Sequence, residues 1–199
     1  MRRLALVGCA TIALIVQAAV AGAATEEFFG ILDGTQENGP IATPATGFGT
    51  AIYDDVANTL AVDLSFQDLL SPSNNSHIHC CASSTGTNAG VAIDFPSVGF
   101  PLGVTSGTFS HTFDLGLTAT YAGGYLSGSG GTANAARDRL LGSMRRQTGG
   151  NLGIAYFNIH TTQYPGGEIR GNISPVPEPA SAMLATLGLA GLLVRRRKR

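Results

Sequence analysis

Leu60-Ala61-Val62-Asp63-Leu64-Ser65-Phe66-Gln67 alternates between large apolar and small or polar residues. Successive side chains of an extended chain point to opposite faces, so Leu60, Val62, Leu64 and Phe66 share one side and Ala61, Asp63, Ser65 and Gln67 the other. That period belongs to a half-buried strand, not to a helix. The run over 47–53 reads as its partner. Asp54-Asp55-Val56-Ala57-Asn58 lies between them and supplies the Asp and Asn that suit a hairpin turn.

The same pattern extends outward. Strands are expected over 28–32, 76–80, 89–95, 108–115, 153–161 and 168–173, with a polar loop over 71–75 and a turn at Tyr164-Pro165-Gly166-Gly167. Residues 123–131, rich in Gly and Ser, read as a loop. One helix is expected over 133–147, where Leu140, Leu141 and Met144 stand at helical spacing among arginines and Gly149-Gly150 ends the run. The arginines read as a solvated helix face. No internal repeat is evident. The prediction is an all-β domain, an antiparallel β-sandwich or flattened barrel of roughly seven to nine strands with one short inserted helix.

Both ends of the chain look like targeting segments. Arg2 and Arg3 precede an apolar run over 4–20, broken by Thr11 and Gln17, and Ala21-Gly22-Ala23-Ala24 offers small-residue cleavage sites. This is the layout of a secretory signal peptide over 1–24, with an uncleaved anchor as the alternative. At the other end Pro177-Glu178-Pro179 precedes an uncharged run over 180–194 and then Arg195-Arg196-Arg197-Lys198-Arg199. As a helix that run spans ~22 Å, short for a ~30 Å hydrocarbon core. The basic cluster would stay on the cytoplasmic side. The tail over 176–199 resembles the PEP-CTERM sorting signal of Gram-negative bacteria. The resemblance implies export by the Sec machinery and an inner-membrane intermediate held by a transmembrane helix. It further implies recognition by an exosortase near Pro177-Glu178-Pro179, then release to the cell surface or exopolysaccharide matrix. A tail anchor with a basic stop-transfer end is the alternative.

Between these segments lies one domain's worth of chain, 25–175. It keeps five arginines, no lysine and twelve carboxylates, a formal charge of −7 that the whole-chain value of −1 conceals. Such a domain is a poor nucleic-acid binder, because counterion release needs cationic side chains. Divalent cations or a polysaccharide matrix are more suitable neighbours. Two of the three cysteines, Cys80 and Cys81, fall in this domain and are adjacent. A vicinal disulfide, free thiols, intermolecular bridges and soft-metal ligation all fit that spacing.

Several blocks carry a second resemblance. Leu32-Asp33-Gly34-Thr35-Gln36-Glu37 stands near the start and Thr43-Pro44-Ala45-Thr46-Gly47 soon after. His77-Ile78-His79 lies mid-chain. Tyr156-Phe157-Asn158-Ile159-His160-Thr161 and Pro165-Gly166-Gly167-Glu168-Ile169-Arg170-Gly171 come last. Together they resemble the CHRD domain, first described in chordin and common in exported bacterial proteins. The resemblance implies the fold and an extracellular setting; joined with the sorting tail and the want of a catalytic motif, the expectation is an exported non-enzymatic protein with a structural, adhesive or binding role at the cell surface or in a biofilm matrix. Cys80-Cys81, directly after His79, departs from the small residues more usual there.

No nucleophile motif or phosphate loop appears, so no catalytic residue is assigned. The residues with chemistry to offer are histidines. His77 and His79, at i and i+2, project from one side of a strand and form a workable ligand pair; His160, from another strand, could complete a three-nitrogen site for Zn or Cu. An HxH strand is similar to the copper site of copper/zinc superoxide dismutases, though no second motif of that family is present. The competing reading has each imidazole hydrogen-bonded to a neighbouring strand or loop. His111, in register with Phe109, Phe113 and Leu115, reads as a core residue. Glu168 and Arg170 read as an ion pair with each other or with an adjacent strand.

Overall fold

The computed structural model describes residues 25–146 and 154–177. The expected signal peptide, the sorting tail from Glu178 onward, the expected helix end at 147–150 and Gly153 lie outside the described residues. Among the described residues, no helix is long and apolar enough to cross a membrane.

The strands are β1 (Thr25–Asp33), β2 (Thr46–Asp54), β3 (Thr59–Gln67), β4 (Ser73–Ala82), β5 (Val91–Asp94), β6 (Gly107–Asp114), β7 (Ile154–Thr161), β8 (Ile169–Asn172) and β9 (Ser174–Pro175). The opening motif is β3. It pairs antiparallel with β2 over its full length, from Thr46↔Gln67 to Asp54↔Thr59, with Leu60, Val62, Leu64 and Phe66 buried. The hairpin is closed by Asp54 Oδ1, which accepts from the backbone N–H of Val56 (2.9 Å) and Ala57 (2.8 Å). Each fully buried Leu or Phe contributes about 1.5–3 kcal/mol relative to exposure.

The expectation of two facing sheets is corrected. The strands form one nine-stranded antiparallel sheet in the order β5-β4-β7-β8-β1-β2-β3-β6, with β9 on β1. The sheet curls so that its ends approach: Phe95, just after β5, stacks on Phe109 of β6 at 4.9 Å. Small residues permit the curl. The Phe157 ring of β7 presses on Gly49 of β2, where a Cβ would stand 2.8 Å from Phe157 Cε2. The flattened-barrel alternative is the nearer of the two.

Two helices pack into the curl. α2 (Ala133–Met144) is the expected one, capped by Thr132, whose hydroxyl accepts from Ala135 N at 3.3 Å. It buries Leu140, Leu141 and Met144. Its arginines are partly engaged rather than simply solvated: Arg145 ion-pairs with Glu26, and Arg139 lies 5.4 Å from the Tyr125 ring centre. The short helix α1 (Gly123–Gly128) stands where a loop was expected. Buried Tyr125 explains it, because its hydroxyl donates to Ala136 O at 3.1 Å and ties α1 to α2. Tertiary burial outweighs a Gly/Ser-rich composition here. β4 likewise begins earlier than expected, since buried Ser73 donates its hydroxyl to Pro101 O (2.8 Å) and its N–H to Val104 O (2.8 Å).

Candidate metal centre

The site grows from the register of four strands. His77 of β4 stands opposite Asp94 of β5 and opposite Asn158 of β7, and Asn158 stands opposite Arg170 of β8. His79 faces Tyr156, and Asn75 faces His160. A polar row therefore crosses the sheet on the face away from Ile78, Phe157 and Ile159. It is not a solvent face: His77, His79, Asn158, His160 and Arg170 are all buried.

The structure brings His77, His79 and His160 together. One ligand nitrogen from each ring lies within 4.8 Å of those from the other two. The ring centres are 5.2 Å apart for His77–His79, 5.0 Å for His77–His160 and 5.8 Å for His79–His160. His111 stands apart from this group, 4.6 Å from Phe113 between ring centres; it is half-buried at the edge of the core rather than inside it as the sequence pattern suggested.

The hydrogen bonds assign the tautomers of two rings. His79 Nδ1 lies 2.9 Å from Ala89 O and His160 Nδ1 lies 2.9 Å from Pro165 O. A carbonyl only accepts, so both nitrogens carry a proton. His77 has a partner on each side, Asp94 Oδ1 at 3.3 Å from Nε2 and His160 Nε2 at 3.1 Å from Nδ1, and its one proton serves either. In neutral rings the bare nitrogens of the other two are then His79 Nε2 and His160 Nε2. His79 Nε2 is buried with no partner among the described residues. Outer N–H groups fixed by carbonyl or carboxylate, with lone pairs turned toward one another, is the arrangement that orients imidazoles on a metal.

Electrostatics keep the rings neutral. His79 is pushed down to about 4, first by burial and then by the charges of His77, His160 and Arg170, against the bond to Ala89 O. His77 moves the same way through burial and His160, against Asp94, and burial also lowers His160. Unfolded, such rings titrate near 6.5. Between those values the unfolded chain holds protons that the folded chain refuses. The stability of the metal-free protein is therefore full above about pH 6.5 and falls as pH drops toward 4. His79 alone accounts for roughly 3 kcal/mol of that loss. Urea midpoints at about pH 7.5 and about pH 4.5 check this; equal midpoints would contradict it.

Beside the histidines lies a second buried group, built around Arg170, whose partner the sequence pattern did not identify. Arg170 pairs with Glu37 Oε2 at 3.2 Å and donates to Thr87 O (2.9 Å) and Asn88 Oδ1 (2.6 Å). Its guanidinium lies 3.9 Å from the centre of the Tyr156 ring. Tyr156 in turn stacks on His79, 4.8 Å between centres and 6° between planes. Glu37 also accepts from Asn158 Nδ2 at 2.6 Å, and burial raises its pKa while Arg170 opposes the rise. The expected Glu168–Arg170 pair is not formed. Glu168 precedes the start of β8, so the i, i+2 rule does not apply to it. Its buried carboxylate accepts from Thr43 Oγ1 (2.7 Å), Leu70 N (2.8 Å) and Thr161 Oγ1 (2.8 Å).

Cys80 and Cys81 form a vicinal disulfide, joined by a cis peptide bond, which selects one of the alternatives left open by their spacing. Two loops cover the site. The one through Ala89 is held to β4 by Cys80 N donating to Gly90 O at 3.1 Å. The turn over 164–167 needs Gly167, at φ 123°, where a Cβ would meet Asn158 Oδ1 and Glu37 Oε1 at 2.5 Å. A cleft of about 230 Å³ opens between these loops, lined by Glu37, Asn38, Asn88, Tyr164, Pro165 and Gly167. A larger cleft of about 810 Å³ lies along β2, β3 and β6 and contains none of the clustered histidines.

No curated protein and no solved structure matches the chain. Two family models do. A PEP-CTERM protein-sorting motif covers residues 175–198 and implies export to the envelope of a Gram-negative bacterium with processing by exosortase. A CHRD domain covers residues 28–173, a span that takes in most of β1, all of β2 to β8, both helices and the three clustered histidines. Neither is an enzymatic family, and on the match that spans most of its length the chain belongs to the CHRD domain family.

Proposed function

We propose that this exported, non-enzymatic surface protein binds one transition-metal ion through His77, His79 and His160. The observation that supports the reading is the convergence of one nitrogen from each of the three rings within 4.8 Å, with His79 Nε2 buried and without a partner among the described residues. Without an ion, neutral His77 can donate from Nδ1 to His160 Nε2, but that leaves His79 Nε2 unmet. Cu or Zn accepts imidazole nitrogens directly and would engage all three. Asp94, Ala89 and Pro165 fix the rings before the ion arrives, which lowers the ordering cost of binding. The CHRD core is the scaffold that holds the two strands in register.

A structural or adhesive role in the exopolysaccharide matrix is compatible with this reading and is favoured by the sorting motif at 175–198. The net negative mature domain would concentrate cations from the surroundings.

Metal analysis of the full chain, purified from the envelope without an affinity tag, tests the proposal. The wild type is expected to carry about one equivalent of Cu or Zn. His77→Ala and His160→Ala are each expected to lose it while keeping a β-type circular dichroism spectrum. A folded wild type that takes up neither ion would overturn the reading and leave the matrix role.

A further inference from the structure

We propose that the three-histidine site prefers monovalent copper to divalent ions. The inference rests on the metal-binding reading and concerns the charge of the ion. It comes from counting the fixed charges packed around the cluster.

The donor set is neutral. Among the described residues, no carboxylate or thiolate joins His77, His79 and His160 in the group. Cys80 and Cys81 are committed to their disulfide. Asp94 lies outside the ligand set: Oδ1 takes the His77 Nε2–H and Oδ2 accepts from Ser97 N at 3.1 Å. Three imidazoles are a donor set that both Zn and Cu accept, Zn with a water in its fourth position, so the donors alone do not choose between the ions and the surrounding charge must.

The surrounding charges favour a monocation. Arg170 places a buried positive charge one aromatic ring from His79, through the Arg170–Tyr156–His79 stack. Glu37, 3.2 Å from Arg170, cancels that charge and no more. Among the described residues, Asp94 is the carboxylate in contact with one of the three rings, 3.3 Å from His77 Nε2 and partly open to solvent. A monocation with Asp94 sums to zero. A dication leaves one positive charge that no contacting carboxylate balances among buried rings, and the desolvation cost of an ion rises steeply with its charge.

Competition titrations of the full chain test this. Cu(I), kept reduced with ascorbate, is titrated against bicinchoninate; Zn(II) is titrated against 4-(2-pyridylazo)resorcinol. Wild type is expected to bind Cu(I) at least ~100-fold more tightly than Zn(II), the consequence of not burying an extra charge. His79→Gln, with its fold checked by circular dichroism, is expected to lose the tight Cu(I) phase. Asp94→Asn keeps an acceptor for His77 but removes the charge, and is expected to weaken both ions, Zn(II) the more. Zn(II) binding equal to or tighter than Cu(I) overturns the preference while the three-histidine site stands. Failure of both ions to bind overturns the site itself.

Discussion

Replacing Arg170 with Ala is expected to destabilise the protein by about 3–5 kcal/mol, the cost of leaving a buried charge without its partner. Arg170 is 1% exposed and Glu37 5%, and the substitution removes the cation that lies 3.2 Å from the Glu37 carboxylate. The bonds to Thr87 O and Asn88 Oδ1 go as well, and with them the packing on Tyr156. A domain of this size has a total stability of roughly 5–15 kcal/mol, so the variant sits near the unfolding threshold. Glu37→Gln in the same background separates the terms. Combining the two should recover part of the loss, because the orphaned carboxylate is then neutral, and the cycle should report a coupling of about 2 kcal/mol or more. Chemical denaturation reads all three variants. A loss below about 1 kcal/mol for Arg170→Ala would show that solvent reaches the pair and screens it.

Loading the metal site is expected to raise the unfolding free energy by about 4 kcal/mol when the free ion stands at ~1,000 times its Kd. The effect follows from mass action, because the ligands come from β4 and β7, which the unfolded chain does not hold together. The same ion should leave the midpoint of His79→Gln unchanged, since that variant lacks the buried, unpartnered nitrogen Nε2. Thermal and urea unfolding, each with and without ion, provide the measurement. A rise of equal size in wild type and variant would place binding elsewhere on the acidic surface. The pH dependence adds an internal check: metal and proton compete for the same nitrogens, so the stabilisation by the ion should hold through pH 6.5 and shrink only as pH falls toward about 4, where His79 of the folded protein takes up its proton.

Much of this protein was legible in its residues, because much of it depends on local spacing. The period of two over 60–67 placed β3, its buried face and the hairpin to β2. The i, i+2 spacing of His77 and His79 put both rings on one side of β4, since the pleat alternates regardless of what surrounds it. The blocks at 32–37, 77–79 and 156–171 pointed to the CHRD family, which the match over 28–173 shows. The tail pointed to the sorting motif found over 175–198. In each case neighbours in sequence carry the information.

What only the tertiary structure decided is which distant faces meet. One curled sheet rather than two arises because Phe95 finds Phe109 and Phe157 finds Gly49, pairings that no local pattern encodes. α1 exists because Tyr125 is buried against α2, against the preference of its glycines. The partner of Arg170 is Glu37, far away in sequence, and not its near neighbour Glu168. Asp94 joins the site through the β4–β5 register, although nothing in its own stretch of sequence marks it. The convergence of His160 on His77 and His79 is of the same kind. Spacing fixes the direction of a side chain, but only the packed sheet, with its loops closed over a polar row, fixes its distance to a residue on another strand.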